Sequence, residues 1–207
     1  MGSPTPGSFA SRGGMMGELR ESDPFSPIGY HYKDMTLLHE EQSAYQTVQI
    51  HEHPFFGRML VLDGVVQLTE KDEHFYHEML VHPSMHAHLA PKHVLVIGGG
   101  DGGAIREVLR HPSVETAVLV DIDSRVTDIV AEWIPSVAGS LAGPLAHSKV
   151  ERHAEAGAAF LENDQRRFDV IIIDSTDPVG PAAELFESGF YAEAFKRLTD
   201  DGILVTQ

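Results

Sequence analysis

The sequence predicts an α/β chain: a doubly wound, mostly parallel sheet preceded by a small antiparallel β domain. Three observations predict it. Residues 94–97, Val-Leu-Val-Ile, run straight into a glycine cluster at 98–103, and the apolar helical pattern Ala104, Ile105, Val108, Leu109 follows at once. That is a buried parallel strand, a tight turn and a helix. Strand-like and helix-like stretches then alternate to Gln207, as in a parallel sheet with helices on both faces. Ahead of them, Asp63-Gly64 separates two apolar runs, a strong hairpin signal.

Taken in order, residues 1–26 are rich in Gly, Ser and Pro without periodicity and read as a disordered tail, part of it a leader. Residues 27–84 read as the β domain and its first helix. Its strands fall at 45–50, 58–62 and 65–68, and the helix spans about 70–82, with Thr69 as its cap and Asp72 and Glu73 in its first turn. Pro83 and Pro91 bracket a connector. Residues 85–207 read as a Rossmann-like nucleoside-binding domain. Its strands are expected near 94–97, 117–120, 150–153, 168–173 and 202–207, and its helices near 104–110, 124–133, 156–162 and 187–198. An exposed apolar edge strand is a liability, so this sheet is expected to be incomplete at its C-terminal edge and to continue past Gln207.

The bulk numbers narrow the function. At 207 residues and 42% hydrophobic, the chain can bury a sizeable core. A formal charge of −16 argues against nucleic acid and anionic membrane surfaces as partners and is compatible with cationic ligands. With no cysteine there is no disulfide framework and no thiolate metal site. No apolar run approaches membrane-spanning length and no signal-peptide core is present, so a cytoplasmic protein is expected.

The chemistry is expected beyond the carboxyl ends of the strands, where strand order switches. Three of them finish on acids: Asp101, Asp121 and Asp174. A carboxylate inside the glycine turn repels a pyrophosphate and attracts a cation. At about 4 Å and an effective dielectric near 20, unit charges interact by roughly 4 kcal/mol. Asp101 therefore disfavours a dinucleotide and suits a positively charged nucleoside such as a sulfonium. Asp121 follows the glycine turn at the distance where an acid takes ribose hydroxyls, though it also reads as a helix cap. Asp174 and Asp177 flank Ser-Thr at a strand end; paired acids suit a diamine, and a plain capped turn is the alternative. His51-x-His53 and His86-x-His88 invite a metal reading, but neither has a third ligand at diagnostic spacing. They read as surface loops, and no metal or other cofactor is expected. On pattern alone Tyr76 and His77 read as core.

These motifs together resemble a known family. Tyr45-Gln46, the stretch 56–67 (FGRMLVLDGVVQ), Thr69-Glu70 with Asp72-Glu73, Tyr76-His77-Glu78-Met79, Gly98–Gly103 with Arg106-Glu107-Val108, and 174–181 (DSTDPVGP) are similar to the polyamine aminopropyltransferases, spermidine synthases above all. The resemblance implies transfer of the aminopropyl group of decarboxylated S-adenosylmethionine to putrescine, without metal, by a homodimer or homotetramer. It implies Gln46, Gln67, His77, Asp101 and Asp121 as donor-binding residues. It makes Asp174 the general base, helped by Tyr76, and has Asp177, Gln207 and Tyr76 line the amine site. The chain departs from the family at Asp121, where most members carry Glu. It has Ala156 where an Asp usually accepts from the adenine amino group, and His31 where many have Trp. An amine N-methyltransferase using ordinary S-adenosylmethionine, and a non-catalytic paralogue or fragment, are the competing readings.

Overall fold

The computed structural model describes residues 17–22, 27–139, 141, 147–176 and 185–207. The first part is an antiparallel meander of β1 (Gly17–Ser22), β2 (Gly29–Gln42), β3 (Thr47–His53), β4 (Gly57–Leu62) and β5 (Val65–Thr69), neighbours in chain order. The β4–β5 hairpin turns on Asp63 and Gly64, at φ +48° and +83°, which is the primed turn that a two-residue hairpin requires. β1 departs from the expected tail. Its backbone pairs with β2 from Leu19↔Tyr32 to Ser22↔Gly29, and the Glu21 carboxylate accepts from the Val66 amide at 3.0 Å. Strand addition needs backbone partners rather than a run of apolar side chains, so composition does not reveal it.

The helix α1 (Glu73–Ala87) follows and runs through Pro83, where the sequence reading places a connector. The stripe His77, Leu80, Val81, Ser84, Met85 is buried at helical spacing. Pro83 lies on the opposite, exposed side next to exposed Met79, so the carbonyl it leaves unbonded faces water. Thr69 does not cap this helix; its hydroxyl donates to the Asp72 carboxylate at 2.6 Å, and Asp72 is the capping position.

Alternating units then build the second sheet: β6 (His93–Gly98), α2 (Gly103–Leu109), β7 (Thr116–Val120), α3 (Ser124–Trp133), α4 (Pro135–Ala138), β8 (Val150–His153), α5 (Gly157–Asn163), β9 (Phe168–Asp174), α6 (Ser188–Lys196) and β10 (Leu198–Thr206). All its pairings are parallel, in the order β10-β9-β6-β7-β8. Side chains alternate between its faces. Val94, Val96, Val170 and Ile172 pack under α1 and α2, while Leu95, Ile97, Ile171 and Ile173 pack under α5 and α6. Covered on both faces, these strands are apolar throughout. The meander buries Val48, Ile50, Leu60 and Leu62 against α3 and α4, which holds it over the carboxyl end of the sheet. No helix among the described residues is long and apolar enough to cross a membrane.

Ile172 is fully buried and Leu89 is 98% exposed. Ile172→Ala is expected to cost about 2–5 kcal/mol in denaturant unfolding, and Leu89→Ala no more than about 0.5 kcal/mol; similar losses at both would contradict this core.

Candidate active site

Strand order reverses between β6 and β9, the place where open parallel sheets receive ligands. There Gly98 pairs with Asp174, and the Gly99 amide donates to the Asp174 carbonyl oxygen at 2.6 Å. Gly98 sits at φ +78°, and a Cβ on it would stand 2.0 Å from that same oxygen. Only glycine fits, so the turn presses against the end of β9 and fixes the Asp174 backbone.

Above this junction lies a cavity of about 900 Å³, between the meander and the carboxyl ends of β6, β7 and β9. Gln46, Gln67, Tyr76, His77, Asp101, Asp121, Asp174 and Gln207 all line it. Asp177 lies outside the described residues.

The most constrained group is His77, 1% exposed. Its Nδ1 is 2.6 Å from Glu73 Oε2, and its Nε2 is 3.3 Å from Asp101 Oδ1. Burial works against its charge, but the close Asp101 carboxylate and the hydrogen bond with Glu73 outweigh burial and raise its pKa to about 10. Glu73 is opposed by burial too, yet His77 and Arg106 hold its carboxyl down at about 2. Arg106 grips both Glu73 oxygens, Nη1 at 2.8 Å and Nη2 at 2.9 Å. The packing is close enough that a Cβ at Gly103 would lie 2.2 Å from the His77 ring.

Asp174 is 7% exposed. Burial first, and the Asp101 charge second, push its carboxyl up to about 7, against the hydrogen bond from Tyr76. The Tyr76 hydroxyl lies 2.5 Å from Asp174 Oδ1, to which it donates, and 2.6 Å from the Gln207 side-chain amide. A phenol has one proton, so when Asp174 takes it Gln207 must turn its NH₂ toward the phenol oxygen. Burial and Asp174 together keep the Tyr76 phenol protonated by raising its pKa. The second Asp174 oxygen is buried without a hydrogen-bond partner, an unmet acceptor beside the cavity.

Asp121 serves the turn and the cavity at once. It accepts from the Gly100 amide at 3.0 Å and the Asp123 amide at 2.8 Å, and burial lifts its pKa to about 6 against those two bonds. A carboxylate has about four lone-pair sites, so two remain for a ligand. Gln46 is held by Asp123, to which its side-chain nitrogen donates at 3.1 Å. Gln67 lies exposed at the cavity wall, its side-chain nitrogen donating to the Val65 carbonyl at 3.3 Å. Ala156 lines the cavity, whereas Glu155 faces His153 at 3.6 Å. His31 pairs with Glu18 at 2.9 Å.

His77, Asp101 and Asp174 place one possible ligand atom each within 4.8 Å of one another. A metal needs an imidazole lone pair, and here both ring nitrogens point at carboxylates, so the imidazolium itself occupies the cation's role. His53 Nδ1 is taken by the amides of Phe55 and Phe56 at 3.0 and 3.2 Å, and His88 faces Asp201 at 3.5 Å. Neither histidine pair lies in a surface loop as the sequence suggested: His51 and His53 stand on β3, and His86 and His88 at the end of α1. The sequence reading missed Glu73 and Arg106 as parts of the site; the i,i+4 spacing of Glu73 and His77 was the available signal.

Among the described residues, a five-stranded parallel sheet with a cavity at its switch point, roofed by an antiparallel meander, defines a two-part α/β protein of the Rossmann-like class. Residues 73–207 match the spermine/spermidine synthase domain, and residues 19–70 match the spermidine synthase tetramerisation domain. The chain belongs to the spermine/spermidine synthase family. It is 49% identical over 187 residues to a polyamine aminopropyltransferase of Hydrogenobaculum sp. (strain Y04AAS1), covering 90% of this chain and 65% of the relative. It is 48% identical over 180 residues to that of Bacillus subtilis (strain 168), covering 87% and 64%. A crystal structure of a spermidine synthase in complex with the transition-state analogue AdoDATO superposes with a TM-score of 0.85 at 38% identity, over 91% of this chain and 64% of that one. The spermidine synthase of Thermotoga maritima gives 0.83 at 38% identity, over 91% and 62%. The chain thus spans about 65% of the length of the curated relatives it matches.

Glu73→Gln leaves Arg106 and His77 facing each other with no anion between them. It is expected to cost about 3–5 kcal/mol of stability and to lower the His77 pKa in an imidazole NMR titration. An unchanged His77 titration would contradict the pairing.

Proposed function

We propose that this protein is a polyamine aminopropyltransferase of the spermidine synthase type, transferring the aminopropyl group of decarboxylated S-adenosylmethionine to putrescine. The products are spermidine and methylthioadenosine. The observation that carries this reading is the pair Asp101 and Asp174, two carboxylates within 4.8 Å in one cavity, where a cationic donor and a cationic acceptor both gain. The family membership of the chain and the AdoDATO complex of its relative support it.

In this reading Asp121 takes the ribose hydroxyls, with Gln46, Gln67 and His77 completing the nucleoside site. Asp101 takes the ammonium of the aminopropyl arm. Asp177 and Gln207 line the amine site, and Tyr76 orients Asp174. A primary alkylamine has a pKa near 10.4, so freeing its lone pair at pH 7 costs about 4–5 kcal/mol. Asp174, poised near neutrality, accepts that proton. The amine nitrogen attacks the methylene carbon next to the sulfonium; a C–N bond forms, the C–S bond breaks, and its electron pair neutralises sulfur in methylthioadenosine. Alignment of these three atoms supplies much of the remaining rate. The carboxylate of ordinary S-adenosylmethionine would meet Asp101 and Asp174, which disfavours methyl transfer. The match of residues 19–70 to a tetramerisation domain supports a homo-oligomer, a dimer or a tetramer.

Incubation with decarboxylated S-adenosylmethionine and putrescine is expected to yield methylthioadenosine and spermidine by mass spectrometry; methylated diamine from the ordinary donor would instead establish methyl transfer. Asp174→Asn should cut turnover by about 100-fold or more while donor binding stays nearly intact; equal loss of both would refute the base role. The same substitution should raise the melting temperature at pH 8. The Asp174 pKa is raised from 3.8 to about 7, so the native state resists its charge. The gain is complete above about 7 and shrinks as pH falls to 3.8, below which folded and unfolded forms are both protonated.

A further inference from the structure

Three histidines that the proposed reaction leaves unused gather outside the cavity. His82 and His86 stand one turn apart on α1, and His111 follows α2. His82 Nδ1 lies 3.0 Å from His111 Nε2. The His86 and His111 rings are 4.9 Å apart between centroids, and the His82 and His86 rings 6.1 Å. Behind them is Glu107, 0% exposed, whose Oε2 is 3.2 Å from His82 Nε2.

We infer that His82, His86 and His111 form a binding site for a late first-row divalent cation such as zinc. The two nitrogens of His82 face different partners, Glu107 on one side and His111 on the other. A metal-ligating histidine usually donates its other ring N–H to a carboxylate, which fixes the tautomer. Glu107 stands where such a carboxylate would: its Oε1 accepts from Arg106 Nε at 2.8 Å, and its Oε2, buried without a hydrogen-bond partner, lies 3.2 Å from His82 Nε2 and 2.9 Å from the Arg110 guanidinium. With the proton on Nε2, the lone pair of His82 Nδ1 points at His111 Nε2. A tetrahedral ion with bonds of about 2.0–2.1 Å spaces its nitrogen ligands about 3.3 Å apart, a few tenths of an ångström beyond the separation seen here. His86, exposed and one turn away on the same helix, closes the set by rotating its side chain, and water takes the fourth position. Neutral imidazoles suit zinc, nickel and copper rather than calcium or magnesium. The nearby charge of Arg110 is countered by Glu107 and by Glu78, 3.6 Å away.

The test is calorimetric titration of the tag-free, chelator-treated protein with Zn²⁺. One ion per chain is expected, and His82→Gln and His111→Gln should each weaken binding at least about tenfold, as should exposed His86→Gln. Zn²⁺ should raise the melting temperature of the wild type and not of the variants, and should shift the ring signals of these three histidines in NMR. Absence of saturable binding would overturn the site and leave a plain His111-to-His82 hydrogen bond, and so would full-affinity binding in the His82 and His111 variants.

Discussion

The cavity depends on one buried positive charge. Asp101 and Asp174 stand within 4.8 Å of each other and of His77. Like charges at that range repel by roughly 4 kcal/mol at an effective dielectric near 20, and burial penalises the Asp174 charge further. The His77 imidazolium beside them offsets that repulsion. It survives its own burial because Glu73 faces its other nitrogen, and Glu73 survives because Arg106 grips both its oxygens. Arginine, glutamate, histidine and aspartate alternate from the α2 surface to the cavity, and each sign justifies the next. The series ends on surplus negative charge, Asp101 with Asp174 and Asp121 beside it. This surplus is what suits the cavity to cations.

Each carboxylate reaches its place by a backbone device. Asp174 is pinned where the Gly99 amide meets its carbonyl, at a contact that admits no side chain on Gly98. Asp101 is turned by the Gly103 amide, which donates to it at 2.7 Å, and Asp121 by the amides of Gly100 and Asp123. The readings of these aspartates as turn caps and as ligand contacts are therefore not rivals. Donation from backbone amides orients each carboxylate and leaves lone pairs open. The helix α1 adds His77 on its buried side and Tyr76 toward the cavity.

Periodicity made the parallel sheet legible, because strands covered on both faces must be apolar without interruption. The hairpin at Asp63-Gly64 was legible because few residue pairs tolerate two positive φ angles. Less legible was what depends on partners distant in sequence. β1 forms by pairing with β2, and α1 continues through Pro83 because the lost hydrogen bond falls on the solvent side. β10 begins at Leu198, before the acidic pair Asp200-Asp201, with a register break before Ile203, so its first half carries no apolar signature. The site residues that end strands announced themselves by position. Glu73 and Arg106 did not, since an acid in a first helical turn and an arginine on a helix are ordinary until tertiary packing joins them.

In the proposed reaction the surplus carboxylate charge selects a cationic donor lacking a carboxylate of its own. Calorimetric titration of this protein with decarboxylated and with ordinary S-adenosylmethionine tests it most directly. Tighter binding of the decarboxylated form is predicted, with the preference weakened by Asp101→Asn. Equal or tighter binding of the ordinary donor would contradict the account.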